Sequence, residues 1–141
     1  METAKDFWAD AEIISTYTRA QAIEDGFMVD VSDTAREAGI TVPVTLTNEV
    51  YEDCVHWTDE DSKRQTYQDE SGRLWDVVSM LAFRMRISKA RNEKTDTLYY
   101  KMIRVPRGGR GRRPREVILK AVIGGGDNGE PVITVMQKDQ D

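Results

Sequence analysis

Arginine crowds one short stretch of this sequence. Arg104-Val-Pro-Arg107-Gly-Gly-Arg110-Gly-Arg112-Arg113-Pro-Arg115 carries six arginines in twelve residues, interleaved with glycine and proline. Guanidinium forks grip phosphates and carboxylates bidentately, and glycine lets backbone come close to a ligand. Lys101, Lys120, Arg84 and Arg91 are expected to extend the patch. The implied chemistry is capture of a polyanion, steeply salt-dependent through counterion release and blind to base identity. The competing reading is a solvated loop that keeps a hairpin edge from aggregating and pairs with acidic residues elsewhere in the chain.

Those acids lie upstream. From Glu24 to Asp61 there are 11 acidic residues and one basic residue, Arg36. Two or three carboxylates could hold Mg²⁺ for phosphoryl chemistry. Alternatively Glu49, Glu52, Asp53, Asp59, Glu60 and Asp61 form a face that imitates a phosphate backbone on a partner. A solvated surface containing helix caps is the plain alternative. No metal site, cofactor or catalytic residue is assigned.

Cys54 and His56 are the only soft pair, and two positions apart on a helix they point roughly 200° from one another. They therefore fit neither a shared metal nor a nucleophile–base pair. Cys54 reads as a small core residue, and His56 stays open as a general base. A small ribonuclease working without metal would draw on His56, Glu116, Tyr99, Tyr100 and Arg104. Gly124-x-Gly126-x-x-Gly129 matches a dinucleotide fingerprint only formally, because a strand rather than a helix follows.

The positioning elements follow from periodicity and punctuation. Ile13, Tyr17, Ala20 and Glu24 predict a helix from Asp10 to Asp25, ended by Gly26. Phe7 and Trp8 are placed to pin the loose end before it. Phe27 to Val31 is a short apolar, strand-like link. A brief helix from Thr34 to Ala38, capped by Ser32 or Asp33, ends at Gly39. Pro43 keeps Val42 extended. Thr47 caps a helix read through Leu46, Val50, Cys54 and Trp57, and Thr58 to Gly72 is expected as a loop or frayed helix. From Arg73 to Arg91 the pattern is amphipathic. Leu74, Val78, Leu81 and Met85 fall within a 60° arc, while Arg73, Met80, Arg84 and Arg91 fall within a separate 40° arc. Thr97–Val105, Arg115–Ile123 and Pro131–Gln137 then read as strands joined by glycine-rich turns, hence antiparallel. Val117, Leu119, Ala121 and Ile123 line one face of the middle strand, with Ile118 and Val122 on the other, as if both faces were covered.

The expected architecture is α+β: several helices, then one long amphipathic helix packed on a C-terminal three-stranded antiparallel meander. Residues 1–8 are expected as a flexible N-terminus, 9–137 as a single domain and 138–141 as a flexible C-terminus. A length of 141 residues, 39% of them hydrophobic and 32% charged, suits one domain with its own core. The net charge of −5 hides a division: residues 1–70 hold 17 acidic and 5 basic residues (−12), and residues 71–141 hold 8 and 15 (+7). Such asymmetry points to an electrostatic partner, to internal pairing, or to head-to-tail packing of two copies. The sequence shows no apolar run long enough to cross a membrane and no secretory leader at its start. With one cysteine, a cytoplasmic location is expected.

Two groups of residues carry a resemblance. One is Tyr17-Thr-Arg-Ala-Gln-Ala-Ile-Glu-Asp-Gly26 with Val29-Asp-Val-Ser-Asp-Thr-Ala-Arg-Glu-Ala-Gly39. The other is Gly72-Arg-Leu-Trp-Asp76 with Gly111-Arg-Arg-Pro114 and Gly129-Glu-Pro-Val-Ile-Thr-Val-Met136. From about Ala9 to Met136 the chain resembles an uncharacterised domain family of bacterial plasmids, integrative elements and prophages. The resemblance implies a genetic context and no catalytic residue. The leading expectation is a non-enzymatic interaction protein of a phage or mobile element. Its partner is a host protein or ribonucleoprotein complex, such as a CRISPR or restriction machine, at whose nucleic-acid site it competes. Direct nucleic-acid binding through the arginine hairpin is the alternative, and ribonuclease action the third. A homo-oligomer is compatible with each.

Overall fold

A computed structural model describes residues 17–141. The expected loose end at 1–8, with Phe7 and Trp8, and the first part of the helix predicted from Asp10 lie outside them. Helix α1 (Arg19–Glu24) begins at Thr18, which exchanges hydrogen bonds with Gln21. The Asp127 carboxylate, from a distant turn, accepts from the Arg19 and Ala20 amides at 2.8 and 3.1 Å. Donors that a helix start leaves open are thereby used. Gly26 turns the chain out of α1 at φ 81°, where a Cβ would strain.

Strand β1 (Met28–Asp30) and helix α2 (Ser32–Glu37) follow. The helix starts before the predicted Thr34. Asp30 accepts from the Ser32 amide and hydroxyl at 2.9 and 2.6 Å, so the side chain at the helix entrance is Asp30 rather than Ser32 or Asp33. Strand β2 (Val44–Thr47) corrects another expectation. Leu46 belongs to this strand, and helix α3 (Asn48–Val50) begins only after Thr47, which accepts from the Val50 amide as predicted. The chain then widens into a π turn over Tyr51–Val55. Helix α4 (Asp59–Arg64) forms within Thr58–Gly72, the stretch expected as a loop or frayed helix, and Thr58 and Asp61 exchange hydrogen bonds at its start. The long helix α5 spans Glu70–Ala90, and Asp69 accepts from the Gly72 amide at its entrance.

Strands β3 (Thr97–Arg104), β4 (Arg115–Gly125) and β5 (Pro131–Gln137) form the predicted antiparallel run, but they are part of a larger sheet. The sheet has five strands in the order β1-β2-β5-β4-β3 and is mixed, because β2 pairs parallel with β5. The three-stranded meander is therefore incomplete as an architecture. The strand-like link read at Phe27–Val31 contains β1, whereas the four residues of β2 offer too few alternations to register as a strand in sequence. Their pairing also depends on contacts far along the chain.

One row crosses all five strands: Val29, Leu46, Val135, Ala121 and Leu98. Helix α5 lays Val77, Val78, Leu81 and Ala82 over this face, and Tyr100 donates its hydroxyl to the Val77 carbonyl at 3.2 Å. Ala35, Ile40, Val50, Cys54 and Val55 close the core from the helical side. The expectation that β4 is covered on both faces is corrected. Leu119 and Ala121 are buried, while Ile118 and Val122 are half-buried and Ile123 lies exposed. Among the described residues no helix is long and apolar enough to cross a membrane.

Candidate nucleic-acid interface

The arginine-rich segment joins β3 to β4, and its backbone is tethered to α4. Gln65, itself buried, donates to the Pro106 and Gly111 carbonyls at 2.9 and 2.6 Å and accepts from the Gly108 amide at 2.9 Å. Arg64 donates to the Gly109 carbonyl at 2.8 Å. Gly108 and Gly109 have φ of 110° and 65°, so the loop needs glycine where it turns beneath these donors.

Charge completes the tether. Asp61 is 2% exposed, and it accepts from Arg107 Nε and Arg64 Nη2 at 2.6 Å each and from the Thr58 amide at 2.8 Å. Burial alone would raise the Asp61 pKa; the Arg107 hydrogen bond and the Thr58 donors overrule it and hold the carboxyl well below the usual carboxylate range. Arg107 is pushed up in turn, first by Asp61 and then by Glu52 and Glu70. One turn of sequence earlier, Arg104 Nη2 contacts both oxygens of Asp53 at 3.0 Å.

Beneath the loop lies Arg73, which the sequence groups with Arg84 and Arg91 on the arc away from the apolar stripe. It is instead buried, with its guanidinium 4.6 Å from the centroid of the Trp57 ring. It donates to the carbonyls of Val55, Val105 and Asp53 at 3.0, 2.9 and 3.3 Å and to Gln68 Oε1 at 2.6 Å. Desolvation lowers its pKa from the ordinary arginine value. Helical spacing placed Arg73 on the same arc as Arg84 and Arg91, and no local signal reveals that Trp57 and the β3 end roof it over.

The ten basic residues predicted for binding therefore separate. Arg84 is engaged bidentately by Glu93 at 2.8 and 3.2 Å and donates to the Tyr99 carbonyl. Arg91 ends α5 and is exposed. Lys101 lies on the outer face of β3, 4.0 Å from Glu116, and Lys120 donates to the Gln140 carbonyl. Arg104 and Arg107 hold acids of the same chain. Arg110, Arg112, Arg113 and Arg115 remain exposed, with no ion pair among the described residues. They surround a concavity of 550 Å³ whose other walls are Pro106, Gly108 and Gly111.

The predicted acidic face is likewise divided. Asp53 and Asp61 are neutralised by arginines, Glu52 lies 3.8 Å from Arg107, and Glu49 accepts from Gln140. Asp59 and Glu60 project from the first turn of α4. The −12/+7 division of the sequence is thus partly cancelled inside the subunit. Gln140, in the tail expected to be flexible, also bonds to Thr47 Oγ1 and the Gln137 amide.

The groups gathered for a ribonuclease are not brought together as a set. Tyr100 is buried, with ionisation pushed far up by burial, while Tyr99 and Glu116 lie on the outer face of the sheet. His56 meets two residues that sequence reasoning missed. Its Nδ1 lies 2.5 Å from Glu70 Oε1, and Tyr51 donates to Glu70 Oε2 at 3.0 Å. Cys54 is fully buried and its thiol is pushed up to about 12, chiefly by desolvation, so it is unfit as a nucleophile. No group of three metal-ligating side chains occurs among the described residues.

No curated protein and no solved structure matches the sequence. Residues 4–141 match a family of unknown function, DUF6573, which covers nearly the whole chain. The α/β domain with its anchored arginine loop belongs to the family DUF6573.

Proposed function

We propose that the protein binds nucleic acid through phosphates held by Arg110, Arg112, Arg113 and Arg115. One observation carries this reading: these four arginines stand exposed on a loop whose backbone is tethered by Gln65, Arg64 and the Arg107–Asp61 pair. Tethering reduces the ordering cost that a free loop would meet on binding. Phosphate contacts of this kind position a strand without identifying its bases.

The test is fluorescence anisotropy with single-stranded RNA, single-stranded DNA and duplex DNA across a salt series. The quadruple substitution Arg110→Gln, Arg112→Gln, Arg113→Gln and Arg115→Gln should weaken binding to all three. It should also flatten the salt slope by about 0.7–0.9 for each phosphate that is no longer neutralised. Unchanged retention and slope in the variant would rule the loop out.

A second reading rests on Asp59 and Glu60, which project from the first turn of α4. In it the protein, carried by a phage, plasmid or integrative element, occupies the nucleic-acid site of a host defence complex in the cytoplasm. Neutralisation of Asp53 and Asp61 by arginines leaves that acidic face smaller than the sequence suggests. A stoichiometric host complex, retained by the wild type and abolished by Asp59→Asn and Glu60→Gln, separates it from the first reading.

A further inference from the structure

His56, Glu70 and Tyr51 form a polar cluster that the binding reading leaves unused. The π turn over Tyr51–Val55 closes with the His56 amide donating to the Tyr51 carbonyl at 2.8 Å. This wide turn brings the two rings into a stack, with centroids 6.5 Å apart and planes inclined by 28°. Turns of this type occur mostly as single insertions in helices, frequently at functional sites.

Glu70 enters from the first turn of α5 and accepts three hydrogen bonds. They come from His56 Nδ1 at 2.5 Å, Tyr51 Oη at 3.0 Å and the Trp57 amide at 3.2 Å. Burial works to raise its pKa, but the Trp57 amide, His56 and Tyr51 together hold it below the ordinary glutamate value. A carboxylate fixed in this way places the imidazole proton on Nδ1 and leaves the Nε2 lone pair as acceptor. Nε2 makes no hydrogen bond among the described residues, and the side chain is 31% exposed. Glu52, next to Tyr51 in the turn, lies 3.8 Å from Arg107 at the start of the arginine loop.

We infer that His56 is the general base of an RNA-cleaving site, oriented by Glu70 and supplied with substrate by the arginine loop. This rests on the nucleic-acid reading above and names RNA as its substrate class. His56 Nε2 removes the proton from a ribose 2′-hydroxyl. The 2′ oxygen then attacks the adjacent phosphorus, and an O2′–P bond forms as the P–O5′ bond breaks. The imidazolium returns its proton through water to the departing 5′ oxygen, so no proton is gained or lost overall. The products are a 2′,3′-cyclic phosphate and a 5′-hydroxyl. The nucleophile belongs to the substrate, and DNA, which lacks it, is bound but left whole. Glu70 and Tyr51 are positioning residues.

The experiment incubates the full chain, in the presence of EDTA, with end-labelled RNA, the same sequence carrying 2′-O-methyl ribose, and single-stranded DNA. Binding is followed in parallel by anisotropy. Cleavage of RNA alone, to cyclic-phosphate ends, is expected. His56→Ala should lower kcat about 10²–10⁴-fold, the usual contribution of a general base, and added imidazole should restore part of the activity. Glu70→Gln should lower kcat with little change in KM, whereas the quadruple loop substitution should raise KM. RNA that is bound yet stays intact overturns this inference and spares the binding reading. RNA neither bound nor cut overturns both. Cleavage of the 2′-O-methyl strand, or full activity in His56→Ala, overturns the assignment of the base.

Discussion

Asp61→Asn tests the electrostatic anchor of the arginine loop. The carboxylate is 2% exposed and receives Arg107, Arg64 and the Thr58 amide at 2.6, 2.6 and 2.8 Å. Breaking a fully buried ion pair costs about 3–5 kcal/mol. Here the arginine side chains are 34% and 42% exposed and turn to water once released. The expected loss at neutral pH is therefore smaller, about 2–3 kcal/mol, much of it from the capping hydrogen bond and the buried acceptor. For a chain of this size that lowers Tm by about 7–10 °C. The pH dependence has a definite sign. The folded pKa of Asp61 is depressed below the value of about 3.9 for an unfolded aspartate, so the charge stabilises the fold above that value. Stabilisation is lost as pH falls toward the folded pKa. Urea denaturation followed by tryptophan fluorescence should show a wild-type-to-variant gap that is flat above about pH 5 and narrows below about pH 4. Hydrogen exchange at the Gly108 amide should accelerate in the variant, because the loop loses part of its tether. A gap below about 0.5 kcal/mol at pH 7, or one that stays constant into acid, would refute the reasoning.

Arg73→Met should cost about 3 kcal/mol, because three carbonyls and Gln68 lose their donor, and the near-ultraviolet circular dichroism of Trp57 should change with it. Cys54 should resist a thiol-reactive disulfide at pH 8 in the native protein and react at the rate of unfolding, since burial pushes its thiol up to about 12. Tyr100→Phe should cost about 1 kcal/mol in urea denaturation, the ordinary worth of its bond to the Val77 carbonyl. The quadruple Arg110, Arg112, Arg113 and Arg115→Gln variant should stay within about 0.5 kcal/mol of wild-type stability while losing polyanion affinity, which denaturation and anisotropy read separately.

The long strands and the long helix were legible because their patterns repeat. Leu98, Tyr100 and Met102 alternate with exposed neighbours along β3, and Val78 and Leu81 recur at helical spacing along α5. Shorter pieces were misread where two periods agree over a few residues. Leu46 fits a helix that continues to Val50 as well as it fits a strand, and only its pairing with Val29 on one side and Val135 on the other selects the strand. At Asp59–Arg64 the polar composition suits a loop and a frayed helix equally, and the choice of helix draws on Thr58, Asp61 and the loop docked against it. Glu70 and Tyr51 carried no signal toward His56, since a π turn and a helix start meet there only in the folded chain.

The one-dimensional order of residues determined that a polar chain would carry its positive charge late, on a glycine-broken connection between two strands. Composition and local turn chemistry are enough for that. Which of those charges face solvent was decided by tertiary structure alone. Arg73, Arg104 and Arg107 are spent on Trp57, Asp53 and Asp61, whereas Arg110, Arg112, Arg113 and Arg115 are left exposed. An ion pair depends on the distance between groups remote in sequence, and that distance exists only after α4 and the β3–β4 connection have been brought side by side.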